Sequence, residues 1–380
     1  MSLAGSVFLT LGLVEAALQL VPGLVSIEVQ HEIRADPRNY GVAHPYIGYL
    51  HRPHNTILVK GRDVNALHHT DGYGFRNSWP WPERAEIVIL GDSMVFGHGV
   101  ADDLAWPAIL ARSLPQNRVI NLGLLGAGPQ QYLRVYETFG RKLQPKLLVV
   151  GVFLQNDFSD AETFDTWEKS GVGGNQMVFR DFGRPERVSL SLRHPITSLE
   201  AFFKWRAYPL LRKSHIYNLL RVLVGRDRRE QAITARNVRL ADGSRLRLLP
   251  PHLSRQAALA QPGRREFQLL LQALQRLHSI ATQDGAQTVI VLQPGKEMVY
   301  LPLLGETVPD PASALREALE KLGIDYLDLT PGFRDRAAAG EKLFFEYDGH
   351  PNAAGYALIA QLVLSHLKQN GRQYALSAGN

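Results

Sequence analysis

Glu86-Ile-Val-Ile-Leu-Gly91-Asp92-Ser93 is the stretch on which the fold turns. A short apolar run without polar alternation is a strand covered on both faces. This one ends on a glycine followed by two small polar residues. Four more runs share its character: Arg118-Val-Ile-Asn-Leu122, Lys146-Leu-Leu-Val-Val-Gly-Val-Phe153, Thr288-Val-Ile-Val-Leu292 and Asp325-Tyr-Leu-Asp-Leu329. Helical spacing fills the gaps between them. Tyr132, Tyr136, Phe139 and Leu143 follow Pro129, a residue tolerated in a first turn. Phe267, Leu270, Leu274, Leu277 and Ile280 precede Gly285, and Leu315, Leu319 and Leu322 stop at Gly323. Leu358, Leu362 and Leu367 follow Asn352, which stands where a cap belongs. Buried strands alternating with helices predict an α/β fold on a five-stranded parallel sheet.

Two regions fall outside this rhythm. The stretch from Glu28 to Pro82 is rich in His, Pro, Gly and Asn and predicts turns and short strands, with a tight turn at Asp71-Gly72. From Phe158 to Gly263 the alternation stops and an insertion takes over. Within it, Phe202 to Leu223 mixes aromatic and aliphatic residues with Lys and Arg and reads as a core-facing helix, an interfacial or lid role being the alternative. The chain thus divides into an N-terminal segment (1–27), an extension (28–84), a main domain in two halves (85–157 and 264–370), an insertion or lid (158–263) and a tail (371–380).

Ser6 to Val25 approaches the ~20 apolar residues that a bilayer-spanning helix needs. Glu15, Gln19 and Pro22 oppose this, a charge at a span centre costing about 2.5–3.5 kcal/mol. No Lys or Arg precedes the stretch, so the basic start of a secretory signal is missing. The expectation is a membrane anchor with the main domain outside the cytoplasm, in the periplasm; a cleaved signal and a buried helix are the alternatives.

Over 380 residues, 45% hydrophobic and 21% charged residues indicate a globular chain. It has no cysteine, which excludes a disulfide framework, a thiol nucleophile and Cys-ligated metals. The formal charge of +6 concentrates between Arg180 and Arg247, as in Arg226-Asp227-Arg228-Arg229. It reads as a solvated surface, and no nucleic-acid partner is expected. His44, His51, His54, His68 and His69 have neither a helical i, i+4 pairing nor a carboxylate at ligand spacing, so surface loops are expected. Gly91 to Gly99 lacks the Gly-Lys-Ser/Thr ending of a phosphate loop. No metal and no cofactor are expected.

An open parallel sheet places its site beyond the carboxyl ends of the strands. There the sequence offers Ser93, then Gly126 in Gly123-Leu-Leu-Gly126, then Asn156 in Gln155-Asn156-Asp157, and finally Asp348-Gly-His350-Pro-Asn352. A serine hydroxyl attacks only when a base takes its proton, and His350 is the candidate base. Asp348 is the group to orient it and to stabilise its charged form. The backbone N–H groups of Ser93 and Gly126 and the Asn156 amide are candidate donors to the oxyanion of a tetrahedral intermediate. Glycine at 126 lets the backbone approach closely. His98 is a rival base, ranked lower because a side chain seldom turns back onto the nucleophile of its own loop. Asp92 reads as a loop brace.

These blocks resemble the SGNH hydrolase superfamily of GDSL-type esterases and lipases. The matches are Gly91-Asp92-Ser93 with Gly97 and Gly99, Asn121-Leu-Gly-Leu-Leu-Gly126, Val152-Phe-Leu-Gln-Asn156-Asp157 and Asp348-Gly-His350-Pro-Asn. The resemblance covers roughly 85–157 and 264–368. It implies a flavodoxin-like three-layer α/β/α sandwich, with Ser93 as nucleophile, Gly126 and Asn156 completing the oxyanion hole, and Asp348 and His350 finishing the triad. The common pattern puts two residues between aspartate and histidine, whereas only Gly349 stands here; relatives that include polysaccharide O-acetylation proteins share this shorter spacing. The anchor-like start, His44-Pro-Tyr, Asp71-Gly-Tyr-Gly-Phe-Arg76 and the insertion also resemble membrane-tethered bacterial members linked to surface polysaccharides. The expected function is a serine esterase acting on a short acyl ester of a carbohydrate or lipid. O-acyl transfer to a surface polysaccharide and a silent glycan-binding module on the same fold are the alternatives.

Overall fold

A computed structural model describes residues 3–21, 24, 41–169, 211, 214–220, 235–371, 373–374 and 376. In chain order its strands are β1 (Gly41–His44), β2 (Gly48–His51), β3 (Thr56–Lys60), β4 (Asn65–His69), β5 (Ile87–Gly91), β6 (Val119–Gly123), β7 (Leu147–Phe153), β8 (Arg236–Arg239), β9 (Arg245–Leu248), β10 (Gln287–Gln293) and β11 (Asp325–Asp328). Five of them form one parallel sheet in the order β6-β5-β7-β10-β11. All residues of β5 and β7 are buried, which is why neither run alternates.

Helices cover the sheet. Pro129–Thr138, Asp157–Lys169 and Arg265–Gln283 pack together, as do Trp106–Ser113 and Ala353–Gln369. The result is a three-layer α/β/α sandwich with flavodoxin-like strand order. The five sequence runs fall on β5, β6, β7, β10 and β11, and the four helical patterns on helices. The sandwich also extends past Asp157, because Asp157–Lys169 packs on Arg265–Gln283 although its residues lack the expected alternation. The Phe202–Leu223 pattern, apart from a short helix over 215–220, and Arg226–Arg229 lie outside the described residues.

The chain leaves β5 toward β6 on one side and returns to β7 on the other. That reversal opens a crevice at the carboxyl ends of β5 and β7, the place where ligands bind in such sheets.

The extension before the sandwich is built from two antiparallel hairpins, β1-β2 and β3-β4. At the Asp71-Gly72 turn the Asp71 carboxylate accepts hydrogen bonds from Tyr73 N, Phe75 N and Trp81 Nε1 at 2.8, 3.0 and 2.7 Å. Two of the histidines assigned to surface loops are in the interior: His51 and His68 are 1% and 0% exposed. Each accepts a backbone hydrogen bond from a loop of the sandwich at Nε2, and His51 Nδ1 also meets Gly74 O at 2.9 Å.

The N-terminal segment forms a helix, Leu3–Leu20, with Val7, Leu9, Leu11, Leu13 and Leu20 exposed. Its Glu15 carboxylate accepts hydrogen bonds from Ser214 Oγ, His215 N and Ile216 N at 2.8, 2.7 and 3.0 Å. Among the described residues no helix is long and apolar enough to cross a membrane.

Asn352 caps the last helix, its Oδ1 accepting from Gly355 N at 3.0 Å while its Nδ2 donates to Lys342 O at 2.7 Å. Losing a cap costs about 0.5–2 kcal/mol. Asn352→Ala should therefore lower the unfolding free energy by that amount, seen as a lower urea midpoint with no change in slope when followed by circular dichroism.

Candidate active site

Ser93 takes its position from the abrupt end of β5. The chain turns directly into the short helix Ser93–Phe96, and Asp92 caps it by accepting from Met94 N at 2.9 Å. As the first helical residue, Ser93 keeps a backbone N–H with no partner inside the helix. The residue is 8% exposed.

The base arrives from a loop more than 250 residues away. Phe344 and Pro351 pair across this loop, and Phe345 N donates to His350 O at 3.1 Å. His350 Nε2 lies 2.7 Å from Ser93 Oγ, and its Nδ1 lies 2.5 Å from Asp348 Oδ1. The same carboxylate oxygen accepts from His350 N at 2.9 Å. This accounts for the short Asp-x-His spacing: the aspartate folds back onto the residue two positions on, a turn its short side chain favours. One oxygen thereby fixes both the backbone and the ring of the histidine. With Nδ1–H donating to Asp348, Nε2 is free to accept the serine proton, the tautomer that general-base catalysis needs. Burial works against charge on His350, but the adjacent Asp348 carboxylate outweighs it and raises its pKa above 6.5. Asp348 is held in the opposite sense: burial would raise it, yet the His350 charge and hydrogen bonds bring it well below the usual carboxylate range.

The candidate oxyanion donors Gly126 and Asn156 follow the ends of β6 and β7. Gly126 has φ +71°, a left-handed conformation that glycine adopts without strain. Asn156 Nδ2 donates to Asp92 Oδ2 at 3.1 Å, which leaves its second hydrogen for an oxyanion. Asp92 is fully buried and thereby pushed upward in pKa, with Met94 N, His350, Asn156 and Ser93 acting against the shift. Its role is to hold the Ser93 turn and the Asn156 amide in one frame. Hydrogen bonds thus link Ser93, His350, Asp348 and, through Asp92, Asn156, while Gly126 stands in the loop that follows β6.

His98, the rival base, packs beside His350 with ring centroids 4.6 Å apart, its Nε2 4.0 Å from Asp348 Oδ2. Burial, and then the His350 charge, bring its pKa down to about 3, so it stays neutral. His98, Asp348 and His350 offer ligand atoms within 4.8 Å of one another. Both nitrogens of His350 are already engaged by Ser93 and Asp348, an arrangement that serves a proton relay.

Several braces escaped the sequence reading. Arg76 is 7% exposed and donates to Phe96 O, Gly97 O and Val100 O at 3.0, 2.6 and 3.0 Å, and to Asp102 at 2.8 Å. It clamps the loop behind the nucleophile. Lys296 does the same for the histidine loop, donating to Glu346 O and Asp348 O at 3.0 Å each. His68 Nε2 accepts from Gly99 N at 3.2 Å, and His51 Nε2 from Leu125 N at 3.3 Å, immediately before Gly126. Arg76 lies in the Asp71–Arg76 block, which the sequence singled out only as part of a family resemblance.

Residues 253–379 match the family model described as SGNH hydrolase-like domain, acetyltransferase AlgX. This covers the second half of the sandwich, including Asp348 and His350, and agrees with the resemblance read from the sequence. No curated protein matches the chain. Among solved structures it is similar to a lipolytic G-D-S-L family protein from Veillonella parvula (13% identity, 74% of this chain and 98% of that chain, TM-score 0.38). It is also similar to a catalytic mutant of an acetylxylan esterase from Geobacillus stearothermophilus (11% identity, 74% and 94%, TM-score 0.37).

The base must be neutral to accept the serine proton, so activity is lost as pH falls through the His350 pKa. Turnover of p-nitrophenyl acetate should rise with pH through a midpoint above 6.5. Asp348→Asn should move that midpoint downward as well as slow turnover, since the attraction that raises it is gone; an unmoved midpoint would assign it to another group.

Proposed function

We propose that the chain is a serine esterase that removes a short acyl group, such as acetyl, from an esterified carbohydrate. The observation carrying this is the unbroken relay from Ser93 Oγ through His350 to Asp348, at 2.7 and 2.5 Å, with the Asn156 amide tied to the same turn through Asp92. Ser93 Oγ bonds to the ester carbonyl carbon as its proton passes to His350 Nε2. The carbonyl oxygen takes the negative charge and is met by the Ser93 and Gly126 N–H groups and the Asn156 amide. His350 then returns the proton to the leaving alkoxide, and the acyl group stays on Ser93. An incoming water loses its proton to His350 and attacks the acyl carbon; the bond to Ser93 Oγ then breaks, His350 returns the proton to Oγ, and the carboxylic acid leaves.

The carbohydrate reading draws support from the AlgX-type domain match, whose description names an acetyltransferase. The same match favours a second reading, in which a sugar hydroxyl replaces water in the last step. Both readings share every residue up to the acyl-enzyme and part only in the acceptor. We also propose that the helix Leu3–Leu20 seats on a membrane through its exposed leucines and valines. Support comes from their exposure and from Glu15, whose carboxylate is engaged at 214–216 and does not face open solvent alone.

Ser93→Ala should abolish p-nitrophenyl acetate turnover and covalent labelling by a fluorophosphonate; labelling that persists would remove Ser93 from the mechanism. Asn156→Ala should lower kcat by about 10²–10³ with labelling retained, as expected for loss of one oxyanion donor. Partition of the acyl group between water and an added oligosaccharide separates the two readings.

A further inference from the structure

Along the outer edge of β6 runs a cleft of about 680 Å³ that the esterase chemistry does not use. It lies between that edge and the extension, and Trp79 stands in its wall 46% exposed. An indole exposed to that degree on a concave surface forgoes burial worth keeping unless something covers it. This one is also held rigidly. A Cβ at Gly72 would fall 2.5–2.7 Å from Cζ2, Cη2 and Cε2 of the indole, so the α-carbon of that glycine lies flat against the six-membered ring. Tyr73 and His54 meet the indole edge-on, at centroid distances of 5.1 and 5.6 Å. His54 does so from φ +48°, a conformation uncommon outside glycine and one that structures keep where it positions a group. One ring face is therefore backed and two further rings stand perpendicular to the indole, while nearly half of the residue stays exposed.

The polar groups of the cleft narrow the ligand class. Ser78, His69, Asp103 and Arg112 line it with hydroxyl, imidazole, carboxylate and guanidinium groups. Its other cations are neutralised, Arg76 by Asp102 and Arg118 by Glu86. A phosphate would meet carboxylates there, and an alkyl chain would strand hydrogen-bonding groups. A peptide strand cannot add to β6 at Asn121, because Asn77 already donates to its carbonyl at 2.9 Å and accepts from its N–H at 2.7 Å. A sugar satisfies both halves of the surface: its weakly positive C–H face stacks on the indole, and its hydroxyls donate and accept at the rim.

We propose that this cleft is a glycan-binding subsite with Trp79 as its stacking platform, which holds a chain segment of a polymeric substrate away from Ser93. The proposal deepens the carbohydrate-esterase reading and rests on it for the nature of the polymer, but binding is measurable without catalysis. The probes are xylohexaose, which is neutral, and hexagalacturonate, which is anionic, titrated by calorimetry and indole fluorescence into the full chain and its variants. Wild type and Ser93→Ala should bind at least one probe with equal affinity. Trp79→Ala should weaken that binding tenfold or more and raise KM on an acetylated polymer, with p-nitrophenyl acetate turnover unchanged; Trp79→Tyr should restore part of the affinity.

Binding of neither probe, or equal binding by Trp79→Ala, would overturn the proposal. So would parallel loss of p-nitrophenyl acetate turnover, which would make Trp79 a scaffold residue. A shift from dimer to monomer in sedimentation of Trp79→Ala would overturn it in favour of an interface between copies. A chain that binds the probe and shows no Ser93-dependent turnover fails the esterase reading and leaves the subsite standing.

Discussion

One fully buried carboxylate, Asp92, ties the ends of β5 and β7 into a single working unit. Taking an ionised carboxylate out of water costs several kcal/mol unless donors compensate. Here Met94 N, Asn156 Nδ2 and Ser93 Oγ surround it at 2.9, 3.1 and 3.3 Å. Hydrogen bonds to a charged group return about 1.5–3 kcal/mol each. Burial still raises its pKa, with these donors acting against the shift. The serine has one proton to give and two acceptors within reach. At 2.7 Å against 3.3 Å the histidine takes it, so Asp92 organises the turn without drawing off the nucleophile's proton.

What was legible in the sequence was whatever is local. The strand runs, the Asn352 cap and the order of Ser93, Gly126 and Asn156 after β5, β6 and β7, with His350 one loop beyond the last strand, all follow from short-range pattern. The braces were not legible, and for a common reason. Arg76, Lys296, His51 and His68 act on backbone carbonyls and N–H groups of distant loops. A backbone group carries no residue identity, so nothing at the receiving end marks the contact. The histidines were misplaced on the same account: a ring in a Pro- and Gly-rich stretch reads as surface, while its burial depends on a partner in another element.

The Asp-x-His spacing shows a different kind of limit. On sequence alone the missing residue weakens Asp348 as a partner, because the longer spacing is the common one. In three dimensions the shorter spacing suffices, since a single Asp348 oxygen receives both the N–H and the Nδ1–H of His350. Lys296 then holds the carbonyl of Asp348 itself, so the turn is fixed from behind. Spacing rules are summaries of geometry, and a different loop meets the same requirement.

The company that His350 keeps completes the argument. During attack its imidazole becomes a cation, and a second cation nearby would oppose that step by about 4 kcal/mol at 4 Å in a protein-like dielectric. His98 stands 4.6 Å away, ring to ring, with His68 5.6 Å beyond it. Burial brings their pKa values down to about 3 and about 2, so both are neutral in the pH range where His350 can act as a base. They fill the space beside the base without charging it. Lys296 is the charged neighbour, and its ammonium is turned onto loop carbonyls. Among the described residues the carboxylates of Asp348 and, more weakly, Asp92 both favour charge on the imidazole, and together they outweigh the opposing Lys296.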